Sequence, residues 1–232
     1  MVVKAVIFVL DGTIATFNLD HMTIRAEVRN HLAKAGIPVS VLSMNESPFD
    51  MLKKTEIFLK NSGKPQRAVT KIRNEVSEIS EQYELEAAKT AELLPGITEE
   101  LETLDKAHLK IGLLTADSEK TTNYILKRFG LSRYFDAVTP RNKVKNVKPN
   151  PEHLQTTLKA LHVKPEETIL IANNHHDVQS AKELNVITVG LPTGSSSENE
   201  LTTAGVNYLV SSVSDVSRLV DTLDKSSRFR KK

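Results

Sequence analysis

Val2-Val3-Lys4-Ala5-Val6-Ile7-Phe8-Val9-Leu10-Asp11-Gly12-Thr13 is an almost unbroken apolar run that ends in an acid, a glycine and a hydroxyl. Valine, isoleucine and phenylalanine without alternating polar positions suit a strand buried on both faces, as strands are in a parallel sheet covered by helices. Asp-Gly-Thr is turn chemistry placed where that strand must stop. Further along, Leu109 to Leu114 is a second such run, ending in Thr115-Ala116-Asp117. Thr168 to Ile171 is a third, leading into Ala172-Asn173-Asn174-His175-His176-Asp177, and another core strand ends near Val189. Helical and strand patterns alternate from Leu94-Pro95-Gly96 to about Leu223, which predicts an α/β fold with a doubly wound, mostly parallel, Rossmann-like sheet.

Between the first two strands the period changes. Ile24, Val28 and Leu32 share one helical face, with Gly36 placed to end that helix. Asp50 is a candidate cap for a second helix containing Leu52, Ile57 and Leu59. Pro65 can open a third, where Val69, Ile72, Val76, Ile79 and Tyr83 recur at spacings of three and four, an apolar stripe whose first use is packing against other helices. Residues 1–18 and 90–225 are therefore expected to form the α/β core, 19–89 an inserted helical domain, and 226–232 a disordered basic tail.

Composition narrows the function classes. With 232 residues and 39% hydrophobic content the chain can bury a substantial core, and a net charge of +2 calls for neither nucleic acid nor an anionic membrane as partner. No apolar run approaches the roughly 20 residues of a membrane span. The first strand lacks the layout of a secretory signal, so cytoplasm is the expected compartment. The absence of cysteine excludes disulfides, thiolate metal sites and cysteine nucleophiles.

Four segments, in order and each at a strand end, resemble the motifs of the haloacid dehalogenase (HAD) superfamily, in particular its phosphoglycolate phosphatase-like members with a helical cap. Val9-Leu10-Asp11-Gly12-Thr13 resembles Asp-x-Asp-Gly-Thr, and Leu109 to Thr115 resembles the apolar run that ends in Ser or Thr. Val147-Lys148-Pro149-Asn150-Pro151 resembles the lysine that stands before a proline-opened helix, and Ala172 to Asp177 resembles Gly-Asp-Ser-x-x-Asp. Two positions depart from the pattern: Val9 stands where the family has its nucleophilic Asp, and Asn173 where it has an acid.

The resemblance implies a role for each matching residue. Asp11 corresponds to the general acid and base. Gly12, Thr115, Ala116 and Lys148 correspond to the groups that bind phosphate oxygens, and Asn173 and Asp177 to the Mg²⁺ site, here weakened or lost. Valine has no lone pair, so it can neither attack phosphorus nor ligate a metal. Without Asp at 9 and 173, hard Mg²⁺ loses two anionic ligands. The resemblance also makes the inserted domain a cap that shapes substrate choice, and strand C-terminal ends converge at a switch point, so these residues should share one crevice.

Several residues carry plainer readings. Asp117 is expected to help start the next helix rather than bind anything. Adjacent His175 and His176 lack a ligand spacing to any other histidine and read as part of a polar loop at the crevice. Gly194-Ser195-Ser196-Ser197 reads as a loop after a strand, because no Gly-Lys-Ser/Thr follows it. Two functions stay open. One is a HAD-fold pseudophosphatase that keeps a crevice for a small phosphorylated molecule or inorganic anion, with no cofactor expected. The other is a hydrolase acting slowly on small phosphate monoesters through Asp11, with Mg²⁺ as cofactor. Dehalogenation needs the same missing carboxylate and is disfavoured.

Overall fold

The computed structural model describes residues 2–229. The chain divides into an insertion, Asn18–Thr90, and the segments on either side of it, which fold together. Strands β1 (Ala5–Val9) and β2 (Ala15–Thr16) come first, and the insertion holds helices α1 (His21–Lys34), α2 (Pro48–Asn61) and α3 (Gln66–Lys89). There follow β3 (Glu92–Leu93), α4 (Ile97–Lys106), β4 (Lys110–Leu114), α5 (Glu119–Arg128), β5 (Ala137–Thr139) and α6 (Pro151–Leu161). The chain continues through β6 (Thr168–Ala172), α7 (His175–Leu184), β7 (Ile187–Gly190), α8 (Glu198–Ala204), β8 (Tyr208–Leu209) and α9 (Val216–Phe229).

In the α/β unit six strands form one parallel sheet in the order β5-β4-β1-β6-β7-β8. The chain starts at the centre with β1, moves outward through β4 and β5, then returns to the other side of β1 for β6, β7 and β8. That reversal puts the C-terminal ends of β1, β4 and β6 side by side, with Val9 opposite Leu114 and Phe8 opposite Ile171. Every residue of β1 and β6 is buried, because helices cover both faces. On one face Ile7 and Leu170 pack with Leu154, Leu158 and Leu161 of α6 and Ala181 of α7. The short strands that flank the insertion, β2 and β3, pair antiparallel.

Helix α9 extends further than expected. Residues 226–229 continue the helix as far as Phe229, whereas 230–232 lie outside the described residues. Val216 and Val220 are buried at helical spacing, and the start of α9 is docked by Ser217, whose N–H donates to the Glu100 carboxylate of α4 at 2.6 Å. Once anchored, a helix gains one hydrogen bond for each residue it fixes, so it propagates past its packed stripe.

In the helical unit Ile24, Val28 and Leu32 of α1 form a core with Met51, Leu52 and Leu59 of α2 and Val69, Ile72 and Val76 of α3. Ile57 stays exposed, and the cap of α2 is Ser47 rather than Asp50. The Ser47 hydroxyl accepts the Asp50 N–H at 3.1 Å and donates to the Asp50 carboxylate at 2.6 Å. Asp50 therefore sits in the first turn, where its charge favours the positive end of the helix. Ser47→Ala is expected to cost about 1 kcal/mol by thermal denaturation; an unchanged midpoint would deny Ser47 its capping role.

Candidate active site

The turn after β1 is built from its own backbone. Gly12 N–H donates to the Ala15 carbonyl at 2.7 Å, Ile14 N–H to the Leu10 carbonyl at 3.0 Å, and the Thr13 hydroxyl to the Val9 carbonyl. Gly12 has φ +74°, and a Cβ there would lie 2.2 Å from Asn173 Nδ2, so both conformation and space demand glycine. The Val9 side chain is 1% exposed, a core residue at the strand end.

Asp11 is the titratable group at the centre. Its Oδ1 accepts the Phe17 N–H at 3.3 Å. Burial, and then the neighbouring Asp117 carboxylate, raise its pKa to about 7 against the pull of Phe17 N–H, Lys148 and Gly12 N–H. Asp117 is thus a site residue, not the helix-starting acid that its place in the sequence suggests. Ser118, not Asp117, caps α5. Asp117 is buried, and its Oδ2 accepts the Thr115 hydroxyl at 2.6 Å while its N–H donates back to Thr115 Oγ1 at 3.1 Å. A helix-start reading of an acid three residues past a strand cannot see which way the turn aims its carboxylate.

The Thr115 loop is held from β5. Thr115 N–H donates to the Thr139 carbonyl at 3.1 Å, Arg141 N–H to the Asp117 carbonyl at 3.1 Å, and Arg141 Nη1 to the Ala116 carbonyl at 3.0 Å. Thr139 O also meets His153 Nε2 at 2.9 Å, and burial lowers the His153 pKa to about 4, so this imidazole is neutral and donates through Nε2. Arg141 and His153 carry no signal in the sequence beyond their nearness to the lysine segment.

Lys148 and Asp177 form a buried ion pair at 2.5 Å, their side chains 12% and 0% exposed. The second oxygen of Asp177 accepts Asn173 N–H at 3.2 Å and Asn174 N–H at 3.3 Å, and Asn174 caps α7 in return. His175 and His176 open that helix instead of lying in a loop, with ring centroids 4.0 Å apart. The Gly194 loop is more than a connection, because Gly194 packs against Asn173 and Ser196 N–H donates to the Asn173 carbonyl at 3.3 Å.

Asn173 stands at one of the two positions that the resemblance assigns to a weakened or lost Mg²⁺ site. The side chain is 3% exposed, and its Nδ2 donates to the Asp11 carbonyl while Oδ1 accepts Asn174 Nδ2 at 3.0 Å. With Val9 apolar, Asn173 engaged on both atoms and Asp177 neutralised by Lys148, the residues do not fit Mg²⁺. Among the described residues no three His, Cys, Asp or Glu side chains form a cluster. Gly12 N–H, the Thr115 hydroxyl and the Lys148 ammonium each have a partner within the chain.

Residues 6–191 match the family described as haloacid dehalogenase-like hydrolase. The chain is 33% identical over 132 residues to pyrophosphatase PpaX of Halalkalibacterium halodurans, a match spanning 57% of this chain and 61% of that protein. It is 25% identical to pyrophosphatase PpaX of Oceanobacillus iheyensis over 95% of this chain and 98% of that one. Among solved structures, β-phosphoglucomutase of Clostridium difficile superposes with a TM-score of 0.66 at 23% identity, over 98% of this chain and 99% of its own, a likeness of fold.

Proposed function

The chain belongs to the haloacid dehalogenase-like hydrolase family, and on that premise we propose that it is a pseudophosphatase, a member that holds a small phosphorylated molecule or inorganic anion without turning it over. The observation that carries this reading is Val9, a buried hydrocarbon at the strand end from which an attack on phosphorus would start. Mg²⁺ has no part in it, because Val9 and Asn173 stand at the two positions where acids would anchor the ion. The helical unit is proposed as the element that selects the ligand.

The side chains at these strand ends carry the chemistry of anion recognition. Lys148 supplies a cation, Thr115 a hydroxyl, and the turn at Gly12 a backbone that nothing larger than glycine could follow. An incoming anion must share Lys148 with Asp177 and draw the Thr115 hydroxyl from Asp117. It enters most readily when Asp11 holds its proton, since Asp11 and Asp117 together repel negative charge.

One observation favours a second reading, slow hydrolysis. A carboxyl group with a pKa near 7 is matched to proton transfer at neutral pH, and Asp11 could activate a water directly. The assay that decides uses the purified chain with generic phosphate monoesters and with inorganic pyrophosphate, in the presence and absence of Mg²⁺. Turnover indistinguishable from buffer is the expected result. Hydrolysis that vanishes in Asp11→Asn would replace the pseudophosphatase reading with the hydrolytic one.

A further inference from the structure

Two side-chain bonds cross from outside into the turn that follows β1, and both end on backbone carbonyls. Asn173 Nδ2 donates to the Asp11 carbonyl, and Thr193 Oγ1 donates to the Gly12 carbonyl at 2.5 Å. They come from different places, Asn173 from the end of β6 and Thr193 from the loop after β7, so consecutive peptide groups of one turn are pinned from two neighbouring strands. The packing around them is closed. A Cβ on Gly12 would meet Asn173 Nδ2 at 2.2 Å and Gly194 Cα at 2.8 Å, and a Cβ on Gly194 would meet Asn173 Cγ and Nδ2 at 2.5 Å. Two glycines thus make room for one carboxamide. The amide is oriented by its own second bond, Asn174 Nδ2 to Asn173 Oδ1, so its N–H face cannot swap with its oxygen without losing both contacts.

We propose that Asn173, assisted by Thr193, is a positioning residue that braces the Asp11-Gly12 turn to β6 and β7 by direct hydrogen bonds, making the crevice self-assembled and independent of any divalent ion. A carboxylate at position 173 has no proton to give and would set its negative charge against the partial negative charge of the Asp11 carbonyl oxygen, so it could hold the turn only through a bridging cation or water. The carboxamide removes that need: it reaches the carbonyl itself. Its orientation also fixes the peptide from which the Asp11 side chain springs, and thereby the burial that sets that group's proton affinity. This brace does not depend on whether the crevice turns over an ester.

Native-state hydrogen exchange and amide NMR of the whole chain, in EDTA and in Mg²⁺, test the brace. One Asn173 Nδ2 proton is expected to be protected from exchange and unaffected by Mg²⁺, and the amides of residues 12–15 equally indifferent to the ion. Asn173→Asp should speed exchange of those amides roughly tenfold, the equilibrium worth of one lost intramolecular hydrogen bond. Thr193→Val, nearly isosteric and confined to the second bond, should act in the same direction by less. A freely exchanging carboxamide, or turn amides that gain protection when Mg²⁺ is added to the native chain, would overturn the proposal. If Asn173→Asp does not fold, Thr193→Val and the carboxamide proton decide alone, and unchanged exchange in Thr193→Val with a fast carboxamide proton counts against it.

Discussion

Asp11→Asn stabilises the chain at pH 8 by about 2–4 kcal/mol and has little effect at pH 4. In the folded chain Asp11 keeps its proton up to a pKa of about 7, whereas the carboxyl of an unfolded chain releases it near the ordinary value of 3.8. Between those limits the native state binds more protons than the unfolded one, so stability falls as pH rises through the window, and above pH 7 the full cost of burying the charge is present. Asparagine is neutral throughout and its Oδ1 can still accept the Phe17 N–H, so the substitution removes the cost and keeps the contact.

His153 works in the opposite sense. Its pKa of about 4 lies below the ordinary 6.5, so the unfolded chain takes up a proton between pH 6.5 and 4 that the folded chain refuses. Stability due to His153 is therefore present above pH 6.5 and lost as pH falls toward 4. In the native chain the two groups nearly cancel over that interval; in Asp11→Asn the His153 slope stands uncovered, worth about 3 kcal/mol across the window. Urea midpoints of both proteins from pH 4 to 8 give the comparison: the difference between them isolates Asp11, because His153 and every other shared group drop out, while the His153 slope is read in Asp11→Asn itself. An Asp11→Asn protein no more stable than the native chain at pH 8 would mean that Asp11 is solvated and ionised at neutral pH.

Introducing both acids, Val9→Asp with Asn173→Asp, should bring Mg²⁺-dependent hydrolysis of phosphate monoesters or pyrophosphate from background to a readily measured rate, roughly 10²–10⁴-fold. The gain needs both changes, since one supplies the nucleophile and each supplies a hard anionic oxygen for the ion. The same variant should be less stable than the native chain in EDTA, because a carboxylate at position 9 is buried among apolar neighbours and the brace at 173 is gone. Mg²⁺ should then raise its melting temperature while leaving that of the native chain alone. A folded double variant indifferent to Mg²⁺ would mean that another group opposes the reaction, and Asp117, which draws the Thr115 hydroxyl and repels an anion, is the residue to replace next.

The apolar runs of β1, β4 and β6 and the stripes of α1 and α3 are legible in the amino-acid sequence, because burial on two faces and burial on one helical face leave different periods there. The cap of α2 is not, since Ser47 and Asp50 are both good capping residues and only the path of the backbone selects between them. At the site, Val9 and Asn173 can be read as departures because each occupies a motif position. What Asn173 does instead, donating to Asp11 across 162 residues of sequence, cannot.

Residue type and local period are enough to predict a parallel α/β sheet with a helical insertion, and the resemblance of the first motif adds that a hydrocarbon ends β1 where a carboxylate is expected. The chain carries these properties in any conformation. It takes the folded chain to turn Asp117 toward Asp11, to bind Lys148 to Asp177, and to tie the turn with a carboxamide where an ion was implied. Side-chain direction and burial arise when distant strand ends are brought together, and the proton affinity of Asp11 is set by that assembly alone.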